Sequence, residues 1–125
     1  MNTINSFFLP IDPNAPGAKS LTLQLALEAL IGCFQKKKRS WERLSQYGNQ
    51  LLKAFGKKNG HSMQQLLSSA PEEPTPRYLE TFSDALFPYV KECKEDENVL
   101  LYLLEQRTIL NECVRPKLVE RWLRR

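Results

Sequence analysis

The chain has 125 residues, of which 42% are hydrophobic and 26% are charged, and its net charge is +4. This length predicts one domain with a hydrophobic core that needs no disulfide or metal. The composition is too apolar for a disordered protein and too charged for an integral membrane protein. No apolar stretch approaches the roughly 18–20 residues of a transmembrane helix, so we expect no membrane span.

Basic and acidic residues are segregated along the chain. Residues 36–58 contain eight basic side chains and one acid, residues 72–112 contain ten acids and four basic side chains, and residues 115–125 contain five basic side chains and one acid. Such segregation favours electrostatic pairing within one molecule or between two. A positive net charge alone is therefore weak evidence for nucleic-acid binding.

The chain contains three cysteines, Cys33, Cys93 and Cys113. Their number is odd and none forms a Cys-x-x-Cys pair, so we expect three free cysteines that act as small buried apolar residues, in a reducing compartment, the cytoplasm. A structural zinc site needs about four Cys or His ligands, and His61 is the only histidine. The sequence predicts neither a metal site nor a cofactor.

Residues 1–19 are predicted to form an irregular Pro-rich arm, and residues 20–125 a single helical domain. Prolines within the arm remove hydrogen-bond donors and favour extended or turn backbone. Phe7 and Phe8 are unusually apolar for such an arm, which either folds back onto the domain or docks on a partner. The uncharged Met1–Leu9, rich in Asn, Thr and Ser, resembles the polar amino terminus of bacterial type III secretion substrates. That resemblance implies export without a signal peptide.

Residues Ser20–Phe55 carry the strongest helical signal. Apolar residues recur at steps of four and three from Leu23 to Phe55, which predicts a helix with a continuous seam. Ser20 is the predicted N-cap, and Gly48 with Asn49 marks the expected kink or break.

Three further helices are predicted from their caps. Ser62 with Gln65 fits a capping box for a short helix to about residue 70. The second begins at Pro76, and Pro88 is expected to kink or divide it. Asp96 is the predicted cap of the third.

This third helix is predicted to run from Glu97 to about Val114. Pro116 then ends it and begins a short final helix. No segment alternates with a period of two, so we expect an all-α protein, a compact bundle of about four to six helices with a Pro-rich N-terminal arm. The residues expected in its core are Leu27, Leu30, Phe34, Leu44, Phe82, Leu86, Leu100 and Leu104.

Catalysis is not expected from this sequence. His61 is the only conventional base for a Ser or Cys nucleophile, and it lies beside a glycine-containing turn where a solvated side chain is typical. The acids at 92–97 surround a helix start, where carboxylates are ordinarily solvated. Neither the P-loop nor the dinucleotide-binding glycine pattern is present.

A basic helical face is one candidate functional surface. Lys36, Arg39 and Arg43 are three and four residues apart and would share one face of the long helix, with Lys57 and Lys58 nearby. This pattern indicates either phosphate contacts in a nucleic-acid-binding regulatory protein or a solvated helix surface.

Protein binding has the broader support in the sequence. Aromatic residues concentrate binding energy at interfaces, and the candidates are Phe7, Phe8, Trp41, Leu118 and Trp122. We therefore expect a non-catalytic adaptor, chaperone or assembly factor whose apolar helical groove receives a segment of another protein or of a second copy, steered by charge. The alternatives are a nucleic-acid-binding regulator and a secreted bacterial effector or secretion-system component.

Overall fold

The computed structural model describes residues 11–56 and 60–124. Those ranges form a compact helical fold with no β-strand, which confirms the all-α prediction; the expected number of four to six helices is too low, because there are seven. The helices are α1 (Ala18–Phe34), α2 (Ser40–Phe55), α3 (His61–Ser68), α4 (Pro76–Cys93), α5 (Glu97–Glu105), α6 (Arg107–Ile109) and α7 (Leu118–Leu123), and a π-helical turn (Leu110–Val114) follows α6 directly. The first ten residues of the predicted arm lie outside these ranges.

Helix α1 lies at the centre of the fold, in contact with α2, α4, α5 and the π-helical turn. Apolar residues occupy every side of it, as expected for a helix that its neighbours cover. Its N-cap is Gly17, so the cap predicted at Ser20 is wrong. Ser20 is buried within the first turn, where its hydroxyl accepts a hydrogen bond from Gln24 Nε2 (3.0 Å).

The single helix predicted over Ser20–Phe55 is wrong, because the chain forms α1 and α2 with a tight turn between them. Helix α1 ends in a Schellman motif: the Lys36 N–H donates to the Cys33 carbonyl (3.1 Å) and the Lys37 N–H to the Gly32 carbonyl (2.9 Å). Lys36 takes the left-handed φ (57°) that this motif requires and that glycine usually supplies. Since no glycine marks the turn, the apolar spacing conceals the break.

Two glycines allow close packing around α1 and α2. A Cβ at Gly32 would meet the hydroxyl of Ser40 and lie 3.0 Å from its Cβ, so the start of α2 rests directly on the end of α1. A Cβ at Gly48 would lie 3.1 Å from a Leu67 methyl and 3.3 Å from the Phe82 ring. Gly48, the predicted break, is therefore a packing position inside an unbroken α2.

Helix α3 begins one residue before the predicted cap. Its N-cap is Gly60 and no side chain closes its first turn, so the capping box predicted from Ser62 and Gln65 is wrong. The Gln65 carbonyl instead accepts hydrogen bonds from the hydroxyls of Ser68 (3.1 Å) and Ser69 (2.8 Å) at the other end of the helix.

Helix α4 begins as its sequence predicts. Pro76 is its first residue, and the Thr75 hydroxyl accepts a hydrogen bond from the Tyr78 N–H (3.1 Å). Pro88 lies inside the helix, which continues to Cys93, so of the kink or division predicted near this proline the division does not occur.

The C-terminal third is more divided than predicted. Asp96 caps α5 as expected, accepting hydrogen bonds from the N–H groups of Asn98 (2.9 Å) and Val99 (3.4 Å). The predicted continuation to Val114 is wrong, because the helix ends at Glu105 and the chain resumes as α6 and the π-helical turn.

Asn111 joins the π-helical turn to α7. Its Oδ1 accepts a hydrogen bond from the Val119 N–H (2.9 Å), and its Nδ2 donates to Glu120 Oε1 (2.8 Å). Lys117, the N-cap of α7, has a positive φ (59°) and makes no side-chain cap. The Asn111 side chain therefore satisfies a backbone donor that the cap residue leaves open.

The core contains five of the eight side chains predicted for it: Leu27, Leu30, Leu44, Phe82 and Leu86. Phe34 and Leu100 are only half-buried, and Leu104 is 48% exposed. On α5 the fully buried positions are Val99 and Leu103, one residue before the predicted pair. The predicted core is thus correct on α1, α2 and α4, where Phe34 is the only miss, and shifted by one residue on α5.

Candidate functional site

The five side chains predicted to bind a partner are not brought together. Phe7 and Phe8 lie outside the described residues. Leu118 and Trp122 are 1% and 2% exposed, because α7 packs against α4 and the π-helical turn. These two side chains are part of the core, which leaves little of their surface for a partner.

Trp41 is half-buried and holds the segment between α3 and α4 in place. Its indole Nε1 donates a hydrogen bond to the Pro71 carbonyl (3.2 Å). Its ring meets that of Tyr78 edge-on with 5.4 Å between centroids, and the Tyr78 hydroxyl donates to the Leu66 carbonyl. Trp41 thus has intramolecular contacts for both its polar and its apolar parts.

A small cavity of about 200 Å³ lies between α4 and α7, and Leu118 and Trp122 line it. Phe87, Arg121 and Asp84 also line it. The Asp84 carboxylate accepts hydrogen bonds from both terminal nitrogens of Arg115 (2.9 and 3.4 Å), which ties α4 to the start of the α7 segment. The cavity has room for little more than one side chain.

A group of exposed apolar side chains lies on α1 and α5. We use the name leucine surface for Leu21, Leu101 and Leu104, which are 48%, 52% and 48% exposed. Among the described residues only one other large apolar side chain, Phe87, is exposed. Scattered exposed leucines are ordinary in proteins, whereas a group of them on neighbouring helices is a candidate interaction site.

Two members of the leucine surface line a groove of about 460 Å³ between α1 and α5. Tyr102 also lines it, and the two charged residues that line it, Asp96 and Glu105, are both acidic. Burial raises the pKa of the Tyr102 hydroxyl, and the carboxylates of Glu28 and Glu105 raise it further. The groove is therefore lined by both apolar and polar side chains, and its charged residues are acidic.

The sequence contains a signal for this surface that periodicity alone could not resolve. Residues 99–104 are six consecutive apolar side chains, so several faces of the helix fit the pattern. The structure turns Val99 and Leu103 inward, and this choice leaves Leu101 and Leu104 outside. The register depends on how α5 packs against α1, a long-range contact that the local pattern does not contain.

A second surface lies in the turn between α1 and α2. We use the name basic turn for Lys36–Arg39, four consecutive cations whose side chains are all exposed. Lys36 and Arg39 have φ of 57° and 65°, a left-handed conformation that destabilises a residue with a side chain by roughly 1 kcal/mol. Arg39 forms an ion pair with Glu42 (3.9 Å).

The helical face predicted for Lys36, Arg39 and Arg43 does not form, because the turn separates Lys36 from α2. Arg43 is half-buried on α2, where it lines a groove of about 350 Å³ between α1 and α2. Lys57 and Lys58 lie outside the described residues. The cations near the end of α1 are thus grouped by a turn and not by helical periodicity.

The cysteines and the histidine form no reactive cluster. Burial raises the pKa of the Cys33 thiol to about 12 and is the main reason that the pKa of Cys93 is raised to about 11. The expectation that all three are buried holds only for Cys93, because Cys33 is half-buried and Cys113 is exposed. His61 is exposed at the start of α3.

The described ranges lack both a group of metal ligands and a membrane-spanning helix. Residues 11–56 and 60–124 contain no group of three or more His, Cys, Asp or Glu side chains arranged to hold a metal ion. The same ranges contain no helix of the length and apolarity that crossing a membrane requires.

Comparisons with protein-family models, with curated proteins and with solved structures find no match for the chain. The chemistry of the two surfaces is therefore the indication of function that remains. They differ in chemistry, because the leucine surface is apolar and the charged residues of its groove are acidic, whereas the basic turn is polar and cationic.

Proposed function

We propose that this protein is a non-catalytic interaction module that holds an apolar, basic segment of a partner protein on the leucine surface. The clustering of exposed leucines carries the proposal. Three of the four large apolar side chains exposed in the described ranges belong to this one surface, on two helices that pack together. Removing apolar area from water contributes about 25 cal/mol per Å² to binding, so covering the cluster is favourable.

Charge supports a basic partner. Asp96 and Glu105 line the groove, Glu28 lies near Tyr102, and Glu97 precedes Leu101 by one turn of α5. Lys or Arg side chains on the partner would meet these carboxylates at the rim, which increases the association rate and sets the orientation. An amphipathic helix with leucines on one face and lysines beside them has the required chemistry.

A labelled synthetic helix of this kind tests the proposal by fluorescence anisotropy. The informative variant is Leu101→Ser with Leu104→Ser, because both side chains are exposed and their loss leaves the core intact. Each leucine covered on binding contributes on the order of 1 kcal/mol, so we expect the double variant to bind at least tenfold more weakly. Circular dichroism checks that its helix content is unchanged.

Phe87→Ser is the matched control, because this side chain is also exposed but lies on α4. It should bind the peptide as the wild type does. A second peptide with glutamate in place of each lysine should bind more weakly than the first. Equal affinity of the wild type and the double-serine variant would contradict the proposal.

A further inference from the structure

The described part of the N-terminal arm is fixed to the domain beside α1. Residues 12–18 form two consecutive turns, in which the Ala15 N–H donates to the Asp12 carbonyl (3.0 Å) and the Ala18 N–H donates to the Ala15 carbonyl (3.1 Å). Ile11, which precedes these turns, is half-buried and packs against the core. The chain before Ile11 therefore starts from a fixed point on the surface of the domain.

These turns border the leucine surface. Residues 13–15 line a groove of about 450 Å³ that lies next to the groove of the leucine surface. The two grooves share three lining residues, Gly17, Ser20 and Asp96. Leu21, a member of the leucine surface, follows Ser20 directly in α1. The arm and the leucine surface are therefore neighbours in the fold.

Residues 1–10, which we call the terminal segment, contain apolar side chains within reach of this surface. Each turn of the arm spans less than about 7 Å between its first and last Cα atoms, so Asp12 lies within roughly 14 Å of Ala18 at the start of α1. An extended chain covers roughly 3.3 Å per residue, so the backbones of Phe7 and Phe8 can lie up to roughly 13–17 Å from Asp12. Because the reach matches the distance, both aromatic side chains can meet the leucine surface without a change in the described fold.

Composition favours the terminal segment as the occupant of the leucine surface. The segment carries no charged side chain, and Phe7, Phe8 and Leu9 are consecutive apolar residues. The charged residues that line the groove, Asp96 and Glu105, are acidic. The leucine surface of a second copy would bring carboxylates against carboxylates, which is unfavourable, whereas the uncharged segment buries apolar area without that repulsion. We infer that the terminal segment folds back so that Phe7 and Phe8 cover the leucine surface until a basic partner displaces them.

This cover regulates the surface in the proposed function, and the displacement step rests on that function. A segment tethered so close acts at an effective concentration on the order of millimolar, so a weak apolar contact is enough to hold it in place. A basic partner adds ion pairs with Asp96 and Glu105, which the uncharged segment does not form. The partner therefore replaces the segment and does not bind beside it.

Photocross-linking of the full chain tests the contact in the absence of any partner. p-Benzoylphenylalanine replaces Asn98, an exposed residue that lines the groove but belongs neither to the core nor to the leucine surface. Irradiation should join position 98 to residues 1–10 of the same molecule, as mapped by mass spectrometry, and Phe7→Ser with Phe8→Ser should lower the yield several-fold. The same photoreactive group in place of Phe87, which is exposed on α4, is the control and should give no such product.

The position of the cross-link decides the outcome. Absence of a product between position 98 and residues 1–10 would overturn the inference, as would a product with these residues at position 87. Products that join two chains, with a yield that rises with protein concentration, would overturn it in favour of a second copy whose terminal segment covers the surface.

Anisotropy with the labelled basic peptide tests the displacement. If the segment leaves the leucine surface uncovered in roughly a quarter of the molecules, it weakens the apparent affinity for the peptide about fourfold. Phe7→Ser with Phe8→Ser should therefore bind the peptide about fourfold more tightly than the wild type. Asn2→Ser with Asn5→Ser, which changes two polar side chains of the same segment, is the matched control and should bind as the wild type does. Equal affinity of all three proteins would show that the segment does not compete, which overturns the regulation.

The two experiments separate this inference from the proposed function. A cross-link between position 98 and residues 1–10 without peptide binding by any variant would support the cover and contradict the basic partner. Peptide binding that is equal in the wild type and in Phe7→Ser with Phe8→Ser, without the cross-link, would overturn the cover and leave the proposed function intact.

Discussion

Each end of α1 carries a surface with one energetically unfavourable feature, and this feature differs between the two ends. At its first turn the backbone is regular and the side chains are the exception, because Leu21 is exposed and shares a groove with exposed Leu101 of α5. After its last turn the side chains are ordinary surface cations and the backbone is the exception, because Lys36 and Arg39 are left-handed.

This difference shows where each surface can be altered without damage to the fold. Exposed leucines on a well-packed helix can be replaced by polar residues, since they make few core contacts. The basic turn can accept glycine at its two left-handed positions, since glycine adopts positive φ without a steric penalty. Both ends can therefore be altered without loss of the fold, which makes the comparison testable.

The largest expected effect is a difference in the free energy of unfolding between variants of two neighbouring leucines of α5. Leu103 is fully buried and Leu104 is 48% exposed. Leu103→Ala should lower the free energy of unfolding by about 2–5 kcal/mol, because it leaves a cavity. Leu104→Ala should lower it by less than about 0.5 kcal/mol, as is usual for surface positions. Urea unfolding measures both, and comparable losses would show that Leu104 is part of the core in solution.

The next effect concerns the junction beneath the basic turn. Gly32→Ala places a methyl group against Ser40, and the first turn of α2 must shift. We expect a loss of about 1–3 kcal/mol in the free energy of unfolding, as for other overpacked sites. In a double-mutant cycle, Ser40→Gly should be less destabilising in the Gly32→Ala background than in the wild type. Simple additivity of the two losses would contradict the close approach.

Much of this fold is predictable from local signals. Thr75, Pro76 and Asp96 mark helix starts because a capping oxygen or a missing donor acts within one turn of the chain. The break after α1 is not predictable in this way, because Lys36 stands where the Schellman motif usually has glycine. Gly48 misleads for the opposite reason, since close packing against Leu67 and Phe82 stabilises a helix that its local propensity weakens.

The candidate sites were harder to predict than the helices. Trp122 and Leu118 have the residue types of an interface, yet α7 folds onto α4 and buries them. Leu101 and Leu104 lie in a run of six apolar residues, and only the packing of α5 on α1 decides which of them face solvent. The run of cations at 36–39 is evident in the sequence, whereas its position in a turn depends on the backbone.

A smaller effect, of opposite sign, is expected at the basic turn. Lys36→Gly should raise the free energy of unfolding by up to about 1 kcal/mol, because it relieves the left-handed conformation. Lys38→Gly is the control within the same turn, because Lys38 does not have a positive φ, and it should bring no gain. Urea unfolding compares the two variants. A gain from Lys38→Gly equal to that from Lys36→Gly would indicate charge repulsion and not backbone strain.

The last expected effect is negligible at neutral pH and appears only at alkaline pH. It is a decrease in the free energy of unfolding to which groups near both ends of α1 contribute. Burial raises the pKa of Cys33 from 9.0 to about 12 near the basic turn, and burial with the Glu28 and Glu105 carboxylates raises the pKa of Tyr102 at the leucine surface. Each folded pKa exceeds the unfolded one, so the stabilisation is complete below the unfolded pKa and is lost as the pH rises through the folded pKa.

The free energy of unfolding should therefore decline from about pH 9 upward, the ordinary pKa of a cysteine thiol. Urea unfolding between about pH 7 and about pH 10.5, a range that includes the ordinary thiol pKa of 9.0, measures the decline. Cys33→Ala and Tyr102→Phe should each make it shallower, because each removes a group that unfolding allows to ionise. If only Tyr102→Phe flattened the profile, then of the two ends of α1 only the leucine end would contribute to the alkaline sensitivity.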